Sequence, residues 1–177
     1  MANTHIIFQP LRMASQTVGS LDRTITCASD LDNGAFVIET TPTQTQWGTN
    51  DLNSYIATAP TTAGLDLENL LVVDSSDVAR IEGFKINLAD PRYNYVPAGT
   101  PCKARQLMAG DEFAISATAF GSAPTVTQFA VPANGVTTLA PAGTQTGAKV
   151  IVKIVSAWTF SVGRENVAGL RCKVVAS

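Results

Sequence analysis

Residues 148–162, "AKVIVKIVSAWTFSV", decide how the rest of the chain is read. Ala148, Val150, Val152, Ile154, Ser156, Trp158, Phe160 and Val162 occupy the even positions, and Lys149, Lys153, Thr159 and Ser161 lie among the odd ones. A period of two puts alternate side chains on opposite faces of an extended chain. The stretch therefore reads as one long strand, or two strands with a bend, whose even face enters the core. The run from Glu112 behaves alike, with Phe113, Ile115, Ala117 and Ala119 facing one way and Glu112, Ser116 and Thr118 the other. Between these two runs lie "TVTQFAV" and "GVTTL", separated by Pro132, Asn134 and Gly135, and Asn-Gly is a strong hairpin signal. The closing "GLRCKVVAS" is short and β-branched.

Working outward, "PAGTPCKARQLMAGDEFAIS" (97–116) sets a short strand between the turn "PAGTP" and the turn "AGD". Asp111 in that second turn is expected to accept hydrogen bonds from nearby backbone amides rather than to perform catalysis. In the first half "RTITCAS" and "GAFVIET" are strands flanking the turn "DLDNG", and "NLLVVDS" has the length of a buried strand. Helix is nearly absent; "DSSDVARIEGF" supplies at most one turn, capped by Ser75 or Ser76 and closed by Gly83. The expected fold class is all-β, with little helix: a small antiparallel β-barrel or sandwich in the C-terminal half and a less regular β-rich N-terminal half. The expected divisions are an arm at 1–19, a β-rich region at 20–97 with a neutral Thr/Ala-rich loop, and a barrel-like region at 98–177, unless these form one continuous domain.

Composition narrows the function. The chain has 177 residues, enough for a true core. Charged residues make up 15%, well under the roughly 25% usual for soluble domains. A surface so short of charge is expected to be covered in part by partners. The net charge of −2, with no basic run, argues against nucleic acid, because phosphate binding draws on clustered Lys and Arg. Ile6–Phe8 is too short an apolar stretch for a signal-peptide core or a membrane span, so the expectation is a chain made and kept in a cytoplasm. Cys27, Cys102 and Cys172 are odd in number and far apart, and are expected to be buried free thiols. Residues 40–64 and 118–147 are rich in Thr, Ala, Pro and Gly and almost uncharged, a composition that needs a neighbour to pin it.

Motifs for chemistry are missing. The single histidine, His5, would force any Ser-His-Asp or Cys-His arrangement onto a terminal arm. Neither a metal-ligand spacing nor a phosphate-cradling glycine loop occurs in the sequence. In "DLDNGAFVIET" a calcium loop would want a ligand where Gly34 stands, glycine where Ala35 stands and glutamate where Thr41 stands, so a tight hairpin turn is the better reading. The expectation is a non-enzyme with no cofactor, no metal and no small-molecule substrate.

"YVPAGTPCKARQLMAGDEFAIS", followed by a Gly/Thr-rich hairpin region, "AKVIVKIVSAW" and "GLRCKVVAS", resembles the decoration or cement proteins of tailed bacteriophages, the auxiliary head proteins. "TITCASDLDNGAFVIET" with "LLVVDSS" is similar in layout to the N-terminal half of some of them. The resemblance implies a β-rich structural virion protein, a homotrimer at the outer surface of the capsid. It would bridge neighbouring major capsid subunits for capsid stability, with neither nucleic acid nor membrane as partner. On that reading the arm residues His5, Ile6, Ile7, Phe8, Leu11 and Arg12 would lie along a capsid groove, with Trp47 and Tyr55 as aromatic anchors. A strand added to the protein's own sheet is the plain alternative for the arm, and core packing for the two aromatics.

Two rival readings remain. One is another virion component: a head fibre base, a baseplate part or a carbohydrate or receptor-binding module using Asp90, Arg92, Tyr93, Asn94 and Tyr95. The other is a hydrolase with a carboxylate pair assembled from distant positions.

Overall fold

A computed structural model describes residues 5–40, 54–61, 65–75, 91–143 and 149–176. Thirteen strands are formed among them: β1 (Phe8–Arg12), β2 (Asp22–Cys27), β3 (Leu31–Asp32), β4 (Phe36–Glu39), β5 (Ser54–Thr58), β6 (Leu70–Val73), β7 (Tyr95–Val96), β8 (Cys102–Gln106), β9 (Glu112–Ser116), β10 (Phe129–Pro132), β11 (Leu139–Ala142), β12 (Val150–Val162) and β13 (Glu165–Ala176). The helical content of the described residues is limited to three-residue 3-10 turns. The chain is all-β.

Its strands make an antiparallel six-stranded sheet, ordered β1-β9-β13-β12-β10-β11, a closed barrel, β2-β5-β4-β6-β8, and the small pair β3-β7. In the barrel β2 and β5 run parallel and the other pairs antiparallel. The closed barrel thus forms from residues 22–106. The C-terminal strands, expected to form a small barrel or sandwich, make an open sheet packed face to face on β4 and β6 of the closed barrel.

Strands β4 and β6 explain the difference. Leu70, Leu71, Val72 and Val73 are all fully buried, so this strand has no solvent face. Leu71 and Val73, with Val37, fill the barrel beside Ile25, Ala57, Cys102 and Ala104. Leu70 and Val72, with Phe36 and Ile38, point the other way into the larger core, against Phe113, Ile115, Val152 and Ile154 of the sheet. An unbroken apolar run buried on both sides marks a wall between two cores. The open sheet covers its inner face with that wall and has no need to curl on itself.

The division near residue 97 is crossed in both directions. β8 lies after it yet closes the barrel against β2 and β6, and β1, from the arm, joins the sheet beside β9. Partly buried charge ties the segments together: Arg105 binds Asp74, reaches Asp22 at 3.2 Å, and donates to the Ser15 carbonyl at 3.2 Å.

Turn chemistry follows the sequence closely at two sites. Asp111 is buried, accepting from the Ala14 and Met108 amides at 2.8 and 2.9 Å. Asn134-Gly135 turns β10 into β11, with Gly135 at φ +76° and the Ala133 N–H bonded to the Thr138 carbonyl. "DLDNG" also turns, but it joins no hairpin of β2 with β4, because β5 lies between them. Gly34 there has φ +93°, and a Cβ would sit 2.8 Å from Phe8 Cβ and 2.9 Å from Ile6 Cγ2. Only glycine lets the N-terminal segment pass this close.

Candidate interaction surface

The outer face of the six-stranded sheet gathers charge that is scattered in the sequence. Register places Arg12 opposite Glu112, Glu112 opposite Lys173, Lys173 opposite Lys153, and Lys153 opposite Phe129. Their strand neighbours Phe113, Cys172, Val174, Val152 and Ile154 lie in the core, so alternation puts this row on the opposite face. At about 4.8 Å per strand, the row spans roughly 19 Å from Arg12 to Phe129.

Arg171 completes the group by donating to Glu112 at 2.5 Å, while Lys173 lies 3.9 Å from the same carboxylate. The Arg171 hydrogen bond holds the Glu112 carboxyl below its ordinary range; burial opposes this, and the charges of Arg171, Lys173 and Arg12 add to it. Three cations, Arg171, Lys173 and Arg12, act on one carboxylate, with Lys153 one strand further along the row, on a chain whose net charge is −2. Glu112 is 15% exposed against 41% for Arg171 and 46% for Lys173, so the anion sits low and the cations stand out. Lys153 directly opposite Lys173 is a like-charged cross-strand pair, which destabilises a sheet. Glu112 offsets this at Lys173, but among the described residues no ion pair reaches Lys153, and a broken local rule on an exposed face is what a partner of opposite charge would relieve.

Beside the cations the same face carries a small apolar cluster: Ile7, Ala114, Phe160 and Val162, with Leu11, Trp158 and Val167 packed against it. A bulge puts it there. Ile154 pairs with Cys172 and Ser156 with Arg171, so Val155 is an extra residue. Before the bulge the even residues Val150, Val152 and Ile154 face the core; after it Trp158, Phe160 and Val162 face outward. The single even face read from the sequence is therefore two faces. Gly169 marks the crossing, since a Cβ there would lie 2.4 Å from Phe160 Cε2.

The residues singled out in the sequence scatter. Ile6, Ile7 and Phe8 are buried in the folded chain, Ile6 and Phe8 in the main core and Ile7 in the outer cluster. Within the expected arm, Phe8–Arg12 is an edge strand of the protein's own sheet. Leu11 is half-buried and Arg12 is exposed at the end of the cationic row. His5 Nδ1–H donates to Asp32 Oδ1 at 2.7 Å and the ring stacks on Tyr95, with ring centres 5.3 Å apart. Tyr55 packs on the barrel core with the Arg23 guanidinium 5.9 Å above its ring. Trp47 and Asp90, and the turn expected over residues 76–83, lie outside the described residues. Arg92 pairs with Glu165 and lies over Tyr93, and Asn94 is buried.

Glu112, Lys153, Arg171 and Lys173 were missed as a group. The alternating "RCK" and the odd-numbered lysines were a signal, but only strand order brings them together. Among the described residues no group of three or more His, Cys, Asp or Glu side chains converges on a metal position. Burial pushes the Cys102 and Cys172 thiols up to about 12, with Cys27 adding to the effect at Cys102. The chain matches no protein-family model, no curated protein and no solved structure.

Proposed function

We propose that the protein is a structural virion component that attaches to the outer surface of a phage capsid and bridges neighbouring capsid subunits, without catalysis. The observation carrying this reading is the exposed cationic row, kept on a charge-poor, net-acidic chain at a cost to the sheet that displays it. Such a row suits an acidic protein surface. Several linked copies would raise the effective concentration for each remaining contact. A ligand that binds only the assembled shell shifts the equilibrium away from disassembly, so shell stability needs no chemical step. The alternative sugar-binding stretch is less supported, since Arg92 is engaged by Glu165 and Tyr95 by His5.

Co-sedimentation with purified heads of the encoding phage, before and after expansion, tests the reading. Wild-type protein is expected to pellet with expanded heads, more weakly as salt rises, and Lys153→Glu with Lys173→Glu to lose at least about tenfold in affinity. No binding of the wild type to either form of head overturns it. Salt-independent binding that survives the double reversal would leave the virion role but remove the cationic row as its carrier.

A further inference from the structure

Beyond the bulge, one edge of β12 has no strand beside it among the described residues. β10 pairs with β12 only at Lys153 and Val152. There the ladder is capped by the Thr127 N–H, which donates to the Ile154 carbonyl at 3.0 Å, and by the Ile154 N–H, which donates to the Gln128 carbonyl at 2.9 Å. Thr127 adopts φ +77° to do this, a costly conformation for a β-branched residue and a sign that pairing is stopped at this point by construction. From Val155 to Val162, β13 is the sole strand neighbour of β12 among the described residues. One side of "VSAWTFSV" thus presents backbone donors and acceptors over eight residues, about 27 Å.

Natural sheets blunt such edges with proline or charge. The two terminal strands of this sheet do so: β1 carries Pro10 and Arg12, and β11 carries Pro141. The other side of the ribbon, Glu165–Ala168, is half as long and begins with Glu165, which is ion-paired to Arg92. Val155–Val162 has neither proline nor a charged residue, and Val155, Ala157, Thr159 and Ser161 are exposed.

We propose that this edge pairs with the same edge of a second copy of the chain, antiparallel about a two-fold axis through Thr159. A sheet continued without breaking its faces must join residues of equal parity. That register sets Thr159 opposite Thr159, Trp158 opposite Phe160, Ala157 opposite Ser161 and Ser156 opposite Val162. It brings no charges together, and it adds a Trp–Phe contact on each side of the axis. Pairing with a terminal strand of a second copy would instead meet Pro10 or Pro141, each lacking a donor. A two-fold contact is isologous, hence closed at two copies. It differs from the three-fold association implied by the phage resemblance, and it rests on the sheet edge alone, independently of the virion reading.

Sedimentation equilibrium of the full chain is expected to give twice the chain mass for the wild type and for Thr159→Val. Thr159→Lys and Thr159→Glu, at an exposed position, should each fall to the monomer mass with an unchanged β-type circular dichroism spectrum. An equimolar mixture of the two should return to the dimer, because only a two-fold through residue 159 sets Lys against Glu. A monomeric or trimeric wild type overturns the proposal, as does a dimer that either charged variant leaves intact. Were one charged variant to misfold, the other against the Val control decides alone: persistence of the dimer refutes the pairing, and its loss supports it.

Discussion

Cysteine shows how much a single residue type reveals before any fold is known. Cys102 and Cys172 lie in the barrel and in the main core, respectively, as small apolar side chains, and Cys27 is half-buried at the barrel surface. A thiol raised to about 12 has roughly one part in ten thousand thiolate at pH 8, and the thiolate is the nucleophile. Alkylation of the native protein at pH 8, followed by mass spectrometry, should therefore place the label on Cys27, with Cys102 and Cys172 modified only after unfolding. Equal labelling of all three in native buffer would contradict the two buried environments. Burial was legible from residue type for Cys102 and Cys172, whereas Cys27, expected to be buried with them, is half-exposed at the end of β2. The tight passage at Gly34 was not, because the atoms that demand glycine belong to Ile6 and Phe8, almost thirty residues away.

Among the elements, alternation identified strands and their core faces at residues 112–116 and 150–154. The first strand ends at Ser116, and the expected continuation Ala117–Ala119 is a 3-10 turn with Ala117 exposed. A regular ladder conserves parity. The bulge at Val155 broke that inheritance. Nothing in "KIVSAW" announces an extra residue; only the partner strand, with one fewer, defines it. A consequence can be tested by deletion. Because β13 has no matching extra residue, removing Val155 leaves Ser156–Val162 opposite their present partners and reverses no face. Phe160→Ala, by contrast, empties the outer cluster and should cost about 3–5 kcal/mol. Urea unfolding is expected to rank the deletion as the milder change. If it were the more damaging of the two, the even positions after Ile154 would have to face the core after all. That the closed barrel lies in the less regular N-terminal half, while the C-terminal half is an open sheet packed on it, was not legible for a related reason: an apolar run such as "LLVV" tells that both faces are covered, but not by what.

At the scale of the molecule, low charge content was legible in the sequence but the arrangement of the charges was not, because Arg12, Glu112, Lys153, Arg171 and Lys173 meet only through the strand order. That arrangement makes the outer face responsive to acid. The folded protein holds Glu112 below its ordinary carboxylate range, chiefly through Arg171. A depressed carboxylate contributes stability that is present above the unfolded-state value, about 4.3, and is lost as pH falls through the lower folded-state value. The contribution of so accessible a pair is no more than about 1 kcal/mol. Wild type should therefore melt above Glu112→Gln at neutral pH, and the gap should close as pH falls below about 4, since protonated Glu112 and Gln are then nearly equivalent. Over the same range the row loses its only carboxylate, so Glu112→Gln at neutral pH should bind an acidic partner more tightly than wild type while being slightly less stable. Melting curves of the two proteins across pH, run beside the head co-sedimentation assay, measure both effects. A melting gap that stays constant into acid would show that Glu112 acts by packing alone, and the electrostatic account of this face would fail with it.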